Sequence, residues 1–491
     1  MTVQSPSLPA TFTERQALPL QRTTIKLEGQ TVVVERGVLH VPENRSKAES
    51  RAIEIPLMRY RSRSASPADP IFWLDGGPGM SNLSFKPPLK LLDKHAVVLV
   101  GYRGADGSSI LKCPEIGRAL KGIGGDVLNA ASRANLQRAG TQAAQNLIAS
   151  GVDLEGYTIS EVVADLEAAR AALGYDRVNL LSGSYGTRVA QIYAHLHSDR
   201  IARSIMIGVN PPGHFVWTPE AVDAKLADFA AAWSRDPQCA ARTPDLQAGL
   251  RRALHNLPRR WLLLPIDPGY VKIMTFVMLY QRPTAALVID ALLAAEHGDA
   301  SGVWLMSFMG RLMLGRMMIW GDLLAKGGTA DYEPGRDYVA ELDRPEAILG
   351  APLSLLLWGA ITEEWSLKLL PDQLRRVQPS DVPTLLISGG LDVATPAEPV
   401  ERELLPALSH GQHIVLPNTG HVPDVFKAHP EAIAHVLSTY FDSGVVDTSH
   451  FSDVPMDFHA RPGFPLIAKL SVAAVLTVIV AVLVLLLNWL R

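Results

Sequence analysis

Leu181-Ser182-Gly183-Ser184-Tyr185-Gly186-Thr187 is the stretch of this sequence that decides its fold. It follows an apolar run over residues 178–181 and precedes a stretch with helical character over residues 188–195. Small residues at 182 and 186 suit a turn so sharp that larger side chains would collide with the neighbouring backbone. The pattern predicts a strand, a tight turn and a helix, with Ser184 at the apex. An ordinary turn rich in glycine and serine is the alternative.

Composition indicates a globular protein and argues against a nucleic-acid partner. The 491 residues are enough for a large core and for more than one structural unit. Lysine and arginine number 46 against 49 aspartates and glutamates, for a net charge of −3 without a basic block. The two cysteines, Cys113 and Cys239, could form one disulfide bond, but the sequence does not show whether they meet.

The C-terminal end of the chain carries a long apolar run. Residues 470–490 contain no charged side chain, and about 20 apolar residues in a helix span a hydrocarbon core of about 30 Å. We predict a single-pass membrane anchor over residues 466–491, with a buried core helix as the alternative. The N-terminus lacks the apolar segment of a signal peptide, and Arg461 and Lys469 precede the run. We therefore expect the preceding body of the protein on the cytoplasmic side.

Short apolar stretches that alternate with helical ones predict an α/β architecture with a doubly wound, mostly parallel sheet. Residues 212–378 interrupt this alternation, because they contain helix-length stretches and almost no strand signal. We predict that they form a helical cap. A closing helix is expected over residues 423–441. The predicted organisation is a lead-in over 1–25, an α/β core over 26–211 and 379–441 with the cap between its parts, a linker over 442–465, and the anchor.

Two further side chains fall where a serine nucleophile would need them. A serine hydroxyl requires a base, usually histidine, and a carboxylate that orients the histidine. Asp392 follows the apolar run 383–388, and His421 follows the run 413–416. Among the 14 histidines, His421 lies in a loop directly after a predicted strand. It also comes after the serine and the aspartate, in the chain order Ser, Asp, His. We predict that Ser184, Asp392 and His421 form a catalytic triad.

The loop Leu74-Asp75-Gly76-Gly77-Pro78-Gly79 is predicted to complete this site. Acyl transfer passes through a tetrahedral oxyanion, which needs N–H donors already in place. One donor should be the backbone N–H of Tyr185, directly after the nucleophile, and the other should come from a loop after an early strand. We predict that Gly77 is the second donor, with Gly76 as the alternative.

These motifs together resemble the proline iminopeptidase and tripeptidyl aminopeptidase group of α/β-hydrolases. The resemblance rests on Gly-Gly-Pro-Gly at 76–79, Gly-Ser-Tyr-Gly-Thr at 183–187, Asp392 before Thr395-Pro396, and Gly420-His421. It covers about residues 35–440, apart from most of the predicted cap, and implies an α/β-hydrolase fold. The triad mechanism itself needs no metal or organic cofactor. The sequence departs from the group at Asp75, where histidine is usual, and at Gly101, where aspartate is frequent.

An aminopeptidase must also hold a free α-ammonium group, which requires nearby carboxylates. Glu363 and Glu364 lie in Trp358-Gly-Ala-Ile-Thr-Glu-Glu-Trp365, which resembles the acidic segment near the end of the cap in these peptidases. The resemblance implies that they bind the amine. A solvated helix start, in which the helix dipole favours glutamate, is the alternative.

The expected function is therefore that of a membrane-tethered serine hydrolase that works through an acyl-enzyme. Release of N-terminal residues from short peptides is the first hypothesis. Hydrolysis of lipophilic carboxylic esters is the alternative, because the apolar anchor and the Met-rich cap suit such substrates. A catalytically silent binding protein on the same fold is a third possibility, against which the complete Ser-Asp-His set argues.

Overall fold

A nine-stranded sheet forms the centre of the protein, whose computed structural model describes residues 18–121, 125–362, 365 and 368–489. The strands are β1 (Gln21–Leu27), β2 (Gln30–Pro42), β3 (Ala52–Tyr60), β4 (Ala68–Leu74), β5 (His95–Val100), β6 (Val178–Gly183), β7 (Ile201–Ile207), β8 (Arg260–Trp261), β9 (Leu264–Pro265), β10 (Thr384–Gly389) and β11 (Gly411–Leu416). The strand order is β1-β2-β3-β5-β4-β6-β7-β10-β11, and β8 and β9 form a separate hairpin. Pairing is antiparallel from β1 to β5 and parallel from β5 to β11.

The helices, in chain order, are α1 (Pro114–Leu120), α2 (Ala130–Ala149), α3 (Ile159–Ala172), α4 (Gly186–Leu196), α5 (Pro219–Ser234), α6 (Pro237–Arg242), α7 (Leu246–His255), α8 (Pro268–Met278), α9 (Arg282–Glu296), α10 (Ser301–Met313), α11 (Trp320–Leu323), α12 (Thr329–Asp331), α13 (Tyr338–Leu342), α14 (Pro352–Leu356), α15 (Asp372–Arg375), α16 (Ala397–Pro399), α17 (Val422–Ala428), α18 (Pro430–Ser443) and α19 (Phe464–Trp489). Helices α5 to α15 all lie between β7 and β10. We call this segment, residues 208–383, the helical insert.

The inner parallel strands are mostly apolar because helices cover both faces of the sheet. Strands β5, β6 and β10 are buried at every position. Phe72 and Leu180 belong to the core that includes α3 and α4, whereas their neighbours Trp73 and Leu181 belong to the core that includes α17 and α18. Successive side chains of a strand point to opposite faces, so this alternation confirms the predicted layered α/β fold.

The helical insert contacts loops at the carboxyl ends of the parallel strands. The Ile319 N–H donates to the Gly79 carbonyl at 2.9 Å, and the Tyr280 carbonyl accepts from the His421 N–H at 2.6 Å. The insert is helical as predicted, except for the short β8–β9 hairpin that the sequence did not indicate. Its status as a separate cap over residues 212–378 stays a prediction.

Two element boundaries differ from the sequence expectation. Part of the predicted lead-in belongs to the sheet, because Gln21–Leu27 pair with β2 through a two-residue turn at Glu28 and Gly29. This edge strand is polar and mostly exposed, so it lacks the apolar signal of the inner strands. The predicted closing helix is two helices, α17 and α18, which separate at Pro430. A proline lacks the N–H that a continuous helix needs, and its ring clashes with the preceding turn.

The C-terminal apolar segment forms the 26-residue helix α19. Its stretch Phe464–Leu486 is long and apolar enough to cross a membrane, and an 18-residue apolar segment within it is not buried in the protein. At about 1.5 Å per residue the whole helix is roughly 39 Å long. Among the described residues of α19, those of the first turns contact the rest of the protein, since Phe464 and Ala468 are buried and the Lys469 Nζ donates to Asp299 at 2.6 Å.

Candidate active site

Ser184 occupies a strained turn between β6 and α4. Its backbone φ is +52°, a value that residues with side chains rarely adopt. Its N–H donates to the Ile207 carbonyl at 2.9 Å, which ties the turn to the neighbouring strand. A Cβ atom on Gly186 would lie 2.2 Å from the Leu74 carbonyl oxygen, and the side chain of Ser182 is fully buried. The small residues at 182 and 186 are therefore needed for the close approach of β4 to the turn.

His421 lies in the loop between β11 and α17 and reaches Ser184. Its Nε2 is 2.8 Å from the Ser184 Oγ. Its backbone N–H donates to the Tyr280 carbonyl, and the centres of the two rings are 5.1 Å apart. The histidine is thus positioned from one side by its own loop and from the other by the helical insert.

Asp392 follows β10, is fully buried and accepts from His421. The distance between Asp392 Oδ2 and His421 Nδ1 is 2.7 Å. The backbone N–H groups of Ala394 and Thr395 donate to Oδ1 at 2.8 and 3.0 Å, and the Thr395 hydroxyl donates to Oδ2 at 2.7 Å. Four hydrogen bonds hold this carboxylate in one orientation. They also compensate for the free-energy cost of burying the charged group.

The order of these hydrogen bonds decides which nitrogen of His421 carries the proton. A carboxylate only accepts hydrogen bonds, so Nδ1 must donate to Asp392. In the neutral ring, Nε2 then presents its lone pair to the Ser184 hydroxyl. The structure brings the three residues of the predicted triad together in an arrangement that can remove a proton from the serine.

The loop that follows β4 packs directly against the serine turn. A Cβ on Gly76 would lie 2.7 Å from the Ser184 Cβ, so this contact requires glycine. The Gly76 N–H donates to the Asp75 Oδ1 at 2.7 Å and is therefore already engaged. Gly77 comes next in the loop, and Tyr185 directly precedes α4 with a buried side chain. The engaged Gly76 N–H favours Gly77 over Gly76 as the second donor, and the role of both Gly77 and Tyr185 stays a prediction.

Asp75 introduces a carboxyl group beside this site. Burial raises the pKa of the Asp75 carboxyl, while the hydrogen bond from Gly76 and the nearby His421 oppose that rise. The Asp75 backbone is fixed as well, because its N–H donates to the Asn82 Oδ1 at 2.7 Å and its carbonyl accepts from the Tyr102 hydroxyl at 3.2 Å. The residue that departs from the iminopeptidase pattern is thus an integral part of the loop.

An unbroken series of aromatic contacts runs from Tyr185 to His421. The distances between successive ring centres are 4.9 Å for Tyr185–Phe215, 5.3 Å for Phe215–Trp217, 5.0 Å for Trp217–Phe276, 5.6 Å for Phe276–Tyr280 and 5.1 Å for Tyr280–His421. The Trp217 indole N–H also donates to the Ala394 carbonyl beside Asp392, at 2.7 Å. Four of these rings belong to the helical insert, so the insert supplies an apolar surrounding for the site.

A buried ion pair connects the helical insert to the loops around Ser184. Asp322 and Lys326 form a salt bridge within the insert, and both side chains are buried. The Gly79 N–H donates to Asp322 Oδ2 at 2.9 Å, and the Lys326 Nζ donates to the Arg103 carbonyl at 2.9 Å. The same Nζ lies 5.1 Å from the centre of the Tyr102 ring. Burial raises the pKa of Asp322 and lowers the pKa of Lys326, and their mutual attraction opposes both shifts.

Loss of one partner of this pair is expected to destabilise the protein strongly. Asp322→Leu should lower the free energy of unfolding by about 3–5 kcal/mol, because it leaves the Lys326 charge buried and unpaired. The double substitution Asp322→Leu with Lys326→Met should lose less than the single one. The exposed pair Arg63–Asp93 offers a control, in which Asp93→Leu should change stability by less than about 1 kcal/mol. Urea denaturation in detergent measures the free energy of unfolding of all three variants. Equal losses of stability in the single and double variants would contradict the expectation.

Glu363 and Glu364, the predicted amine-binding residues, lie outside the described residues. Their neighbour Trp365 is described and is buried. The amine-binding role of both glutamates stays a prediction.

One group of side chains outside the Ser184 site has the residue types of a metal site. The ligand atoms of Asp236, Cys239 and His459 lie within 4.8 Å of one another. The Asp236 Oδ2 is hydrogen bonded to His459 Nε2 at 3.1 Å, and burial raises the pKa of the Cys239 thiol to about 11. Cys239 is a free thiol, as is Cys113.

Sequence reasoning did not find several residues that contact the predicted triad or its loops. Phe215 and Trp217 follow β7 in His214-Phe-Val-Trp217, an aromatic signal next to a strand end that could have been noticed. Thr395 belongs to the Thr395-Pro396 motif after Asp392, but the motif alone does not indicate that its hydroxyl contacts the carboxylate. Tyr280 and Asp322 come from the insert, and no local pattern indicates that they reach the site.

Comparison with known proteins agrees with this architecture. Residues 69–257 match a family model described as the alpha/beta hydrolase fold. The tripeptidyl aminopeptidases of Streptomyces lividans and Streptomyces coelicolor are each 27% identical over 216 residues, or 41% of this chain. The alignment spans only about two fifths of these relatives' own length, 40% and 39%.

Solved structures that align with the chain are more distant in sequence. They include a serine hydrolase from Cycloclasticus zankles, with 12% identity and a TM-score of 0.40 over 84% of this chain and 100% of that chain. A proline iminopeptidase-related protein from Thermus thermophilus aligns with 17% identity and a TM-score of 0.37, over 84% of this chain and 98% of that chain. With its mostly parallel sheet and the family match over residues 69–257, the protein has the α/β-hydrolase fold.

Proposed function

We propose that this protein is a serine hydrolase with Ser184 as nucleophile, His421 as general base and acid, and Asp392 as the residue that orients the histidine. The observation that carries the proposal is the continuous series of hydrogen bonds from Asp392 through His421 to Ser184, at 2.7 and 2.8 Å. Such a series activates a hydroxyl that is otherwise a weak nucleophile at neutral pH.

The proposed reaction has two stages. The Ser184 Oγ attacks the substrate carbonyl while His421 Nε2 takes the hydroxyl proton, and the oxyanion accepts hydrogen bonds from the Tyr185 and Gly77 N–H groups. The bond to the leaving group then breaks as His421 returns the proton to it, which leaves an acyl group on Ser184. Water, deprotonated by His421, attacks the acyl carbon and releases the acid product and the free serine.

The proposed substrates are short peptides with a free N-terminus. The proposal draws on the likeness to tripeptidyl aminopeptidases and on the proposed amine-binding role of Glu363 and Glu364. Hydrolysis of lipophilic esters is the second candidate. The aromatic surrounding of the site favours it, because that surface would suit an apolar acyl group.

We further propose that α19 anchors the protein in a membrane, with the hydrolase body on the cytoplasmic side. The length and apolar character of Phe464–Leu486 support the anchor. Arg461 and Lys469 at its start support the orientation. Protease accessibility of the hydrolase body in sealed inside-out and right-side-out vesicles tests that orientation.

A substrate panel on the purified full chain separates the two substrate classes. Aminoacyl-arylamides, including the prolyl compound, are compared with their N-acetylated counterparts and with p-nitrophenyl esters. An aminopeptidase should prefer the free amine by at least about tenfold in kcat/KM, as one charged contact implies. Glu363→Gln together with Glu364→Gln should raise KM for the free amine and leave the ester unaffected. Cleavage of the esters but not of the arylamides, whether the amine of the arylamide is free or acetylated, would exclude the peptidase proposal.

A further inference from the structure

Three side chains with metal-binding atoms meet where the chain between α18 and α19 crosses the helical insert. We call residues 444–463 the connecting segment. Asp236 directly precedes α6, Cys239 lies in its first turn, and His459 belongs to the connecting segment. The ligand atoms of these three residues lie within 4.8 Å of one another. A thiol, an imidazole and a carboxylate together suit Zn²⁺, whereas Ca²⁺ and Mg²⁺ select oxygen ligands.

The start of α6 fixes two of these ligands relative to each other. The Asp236 Oδ1 accepts from the N–H groups of Gln238 and Cys239 at 2.8 and 3.2 Å. This N-terminal cap uses one carboxylate oxygen, while the other, Oδ2, is 3.1 Å from the His459 Nε2. Cys239 is buried, so its sulfur has a defined position. Ligands that are held in place beforehand lose little conformational freedom when they bind.

Contacts of the connecting segment with the insert keep the third ligand within reach of α6. The ring of Phe458, which directly precedes His459, is buried, and its centre lies 5.1 Å from the centre of the Trp233 ring in α5. Earlier in the segment, the Val454 carbonyl accepts from the Arg282 guanidinium of α9 at 3.2 Å. The backbone that carries His459 is therefore attached to the insert on its own, without a metal.

The distances fit a tetrahedral zinc ion with little adjustment. Zinc bonds of about 2.0–2.1 Å to nitrogen and oxygen and about 2.3 Å to sulfur place the ligand atoms about 3.3–3.6 Å apart. The 3.1 Å between Asp236 Oδ2 and His459 Nε2 is already close to this spacing. The exposed side chain of His459 can make the remaining movement of about 1 Å without disturbing the core.

The charge around the three ligands favours a cation. Burial raises the pKa of the Cys239 thiol to about 11, and the Asp236 and Asp457 carboxylates add to this rise. Arg242 opposes the rise, but its guanidinium is engaged by Asp290 at 2.9 Å. Two carboxylates beside a buried sulfur repel a thiolate, and a divalent ion bound between them would remove that repulsion.

We infer that Asp236, Cys239 and His459 bind Zn²⁺ and that the ion joins the connecting segment to the helical insert. The metal forms bonds with Asp236 Oδ2, Cys239 Sγ and His459 Nε2, and water takes the fourth position. The thiol proton passes to the solvent, and the imidazole proton moves from Nε2 to Nδ1. The site is separate from Ser184, so the inference does not depend on the proposed hydrolase activity.

Cobalt substitution tests this site in the purified full chain, prepared without a polyhistidine tag. The visible absorption of Co²⁺ reports tetrahedral coordination, and a near-ultraviolet charge-transfer band reports a thiolate ligand. After metals are removed with a chelator, one equivalent of Co²⁺ should produce both signals. One equivalent of Zn²⁺ should then remove them. Absence of a cobalt spectrum, or a spectrum without the thiolate band, would overturn the inference.

Three substitutions remove the ligands one at a time. Cys239→Ser should abolish the thiolate band and weaken Zn²⁺ binding, measured by titration calorimetry, at least about tenfold, which is the least that loss of a ligand-orienting group costs. Asp236→Asn should weaken binding as much while it keeps the cap of α6, because asparagine caps a helix as well as aspartate does. His459→Gln changes an exposed side chain, so the same loss of affinity should come without loss of folding.

Cys113→Ser and His410→Gln are the matched controls. Cys113 is the other buried free thiol, and His410 is exposed directly before β11. Both variants should keep the cobalt spectrum and the Zn²⁺ affinity of the parent chain. Equal Zn²⁺ affinity in the parent chain and in all five variants would show adventitious binding elsewhere and would overturn the inference.

Hydrogen exchange tests whether the ion holds the connecting segment. Free Zn²⁺ at about ten times its Kd should slow amide exchange over residues 453–460 by about tenfold, because the ion binds only the closed arrangement. The same addition should leave the exchange of Cys239→Ser unchanged. Bound Zn²⁺ without slower exchange in the parent chain would overturn the inferred link between the segment and the insert.

Discussion

Ser184→Ala is expected to lower kcat by about 10⁵–10⁶-fold, because the proposed mechanism has no other nucleophile to form the acyl-enzyme. KM should change little, since the hydroxyl contributes to the transition state rather than to substrate binding. The measurement is steady-state hydrolysis of the best substrate in the panel by the full chain. Covalent labelling with a fluorophosphonate, which reacts with activated serines, should be lost in parallel.

The neighbouring serine gives the matched control for this substitution. Ser182 is buried and donates to the Ile205 carbonyl at 3.2 Å, on the strand side of the turn. Ser182→Ala should therefore retain kcat within about tenfold and keep the fluorophosphonate label, because the small size of the residue is preserved. Full activity of Ser184→Ala would refute the mechanism itself.

Asp392→Asn is expected to lower kcat by about 10⁴-fold without unfolding the protein. An asparagine amide would donate to His421 Nδ1, so the proton would move to Nε2 and the lone pair facing Ser184 would be lost. The N–H groups of Ala394 and Thr395 can still bond to the asparagine oxygen, which preserves the loop. The loss should appear in kcat with the thermal midpoint nearly unchanged.

Asp381→Asn is the control for this change of charge. Asp381 is exposed, precedes β10 instead of following it, and accepts from the Ser409 hydroxyl at 2.7 Å. Its substitution should leave kcat unchanged. Equal losses in Asp381→Asn and Asp392→Asn would indicate a general electrostatic effect and would remove Asp392 from its proposed role.

The α/β fold could be predicted from the sequence because its inner strands carry their own signal. A strand buried on both faces is mostly apolar, as β5, β6 and β10 are. The carboxyl ends of parallel strands lie at one edge of a sheet, so chain order alone places Ser184, Asp392 and His421 near each other. The break at Pro430 has a local signal as well, because a proline interrupts a helix, whereas the apolar pattern of the segment predicts one continuous closing helix.

Other features depend on contacts that no local pattern records. The edge strand β1 is polar because one of its sides faces water, so it resembles an irregular segment. Asp322 and Lys326 lie in a helical stretch of the insert, where a pair four residues apart usually indicates a solvated helix face. Only the folded chain shows that this pair is buried against Gly79 and Arg103.

The contacts on Gly79 have a consequence for how a substrate enters. Its N–H is held by Asp322 and its carbonyl by the Ile319 N–H, both from the helical insert. Movement of residues 319–322 away from the sheet would release the loop that carries the proposed Gly77 donor. In the proposed mechanism, docking of the insert and placement of the Gly77 N–H are therefore coupled, so a ligand that stabilises one would also stabilise the other. A substrate that binds the docked insert would thus stabilise the proposed oxyanion site that acts on that substrate.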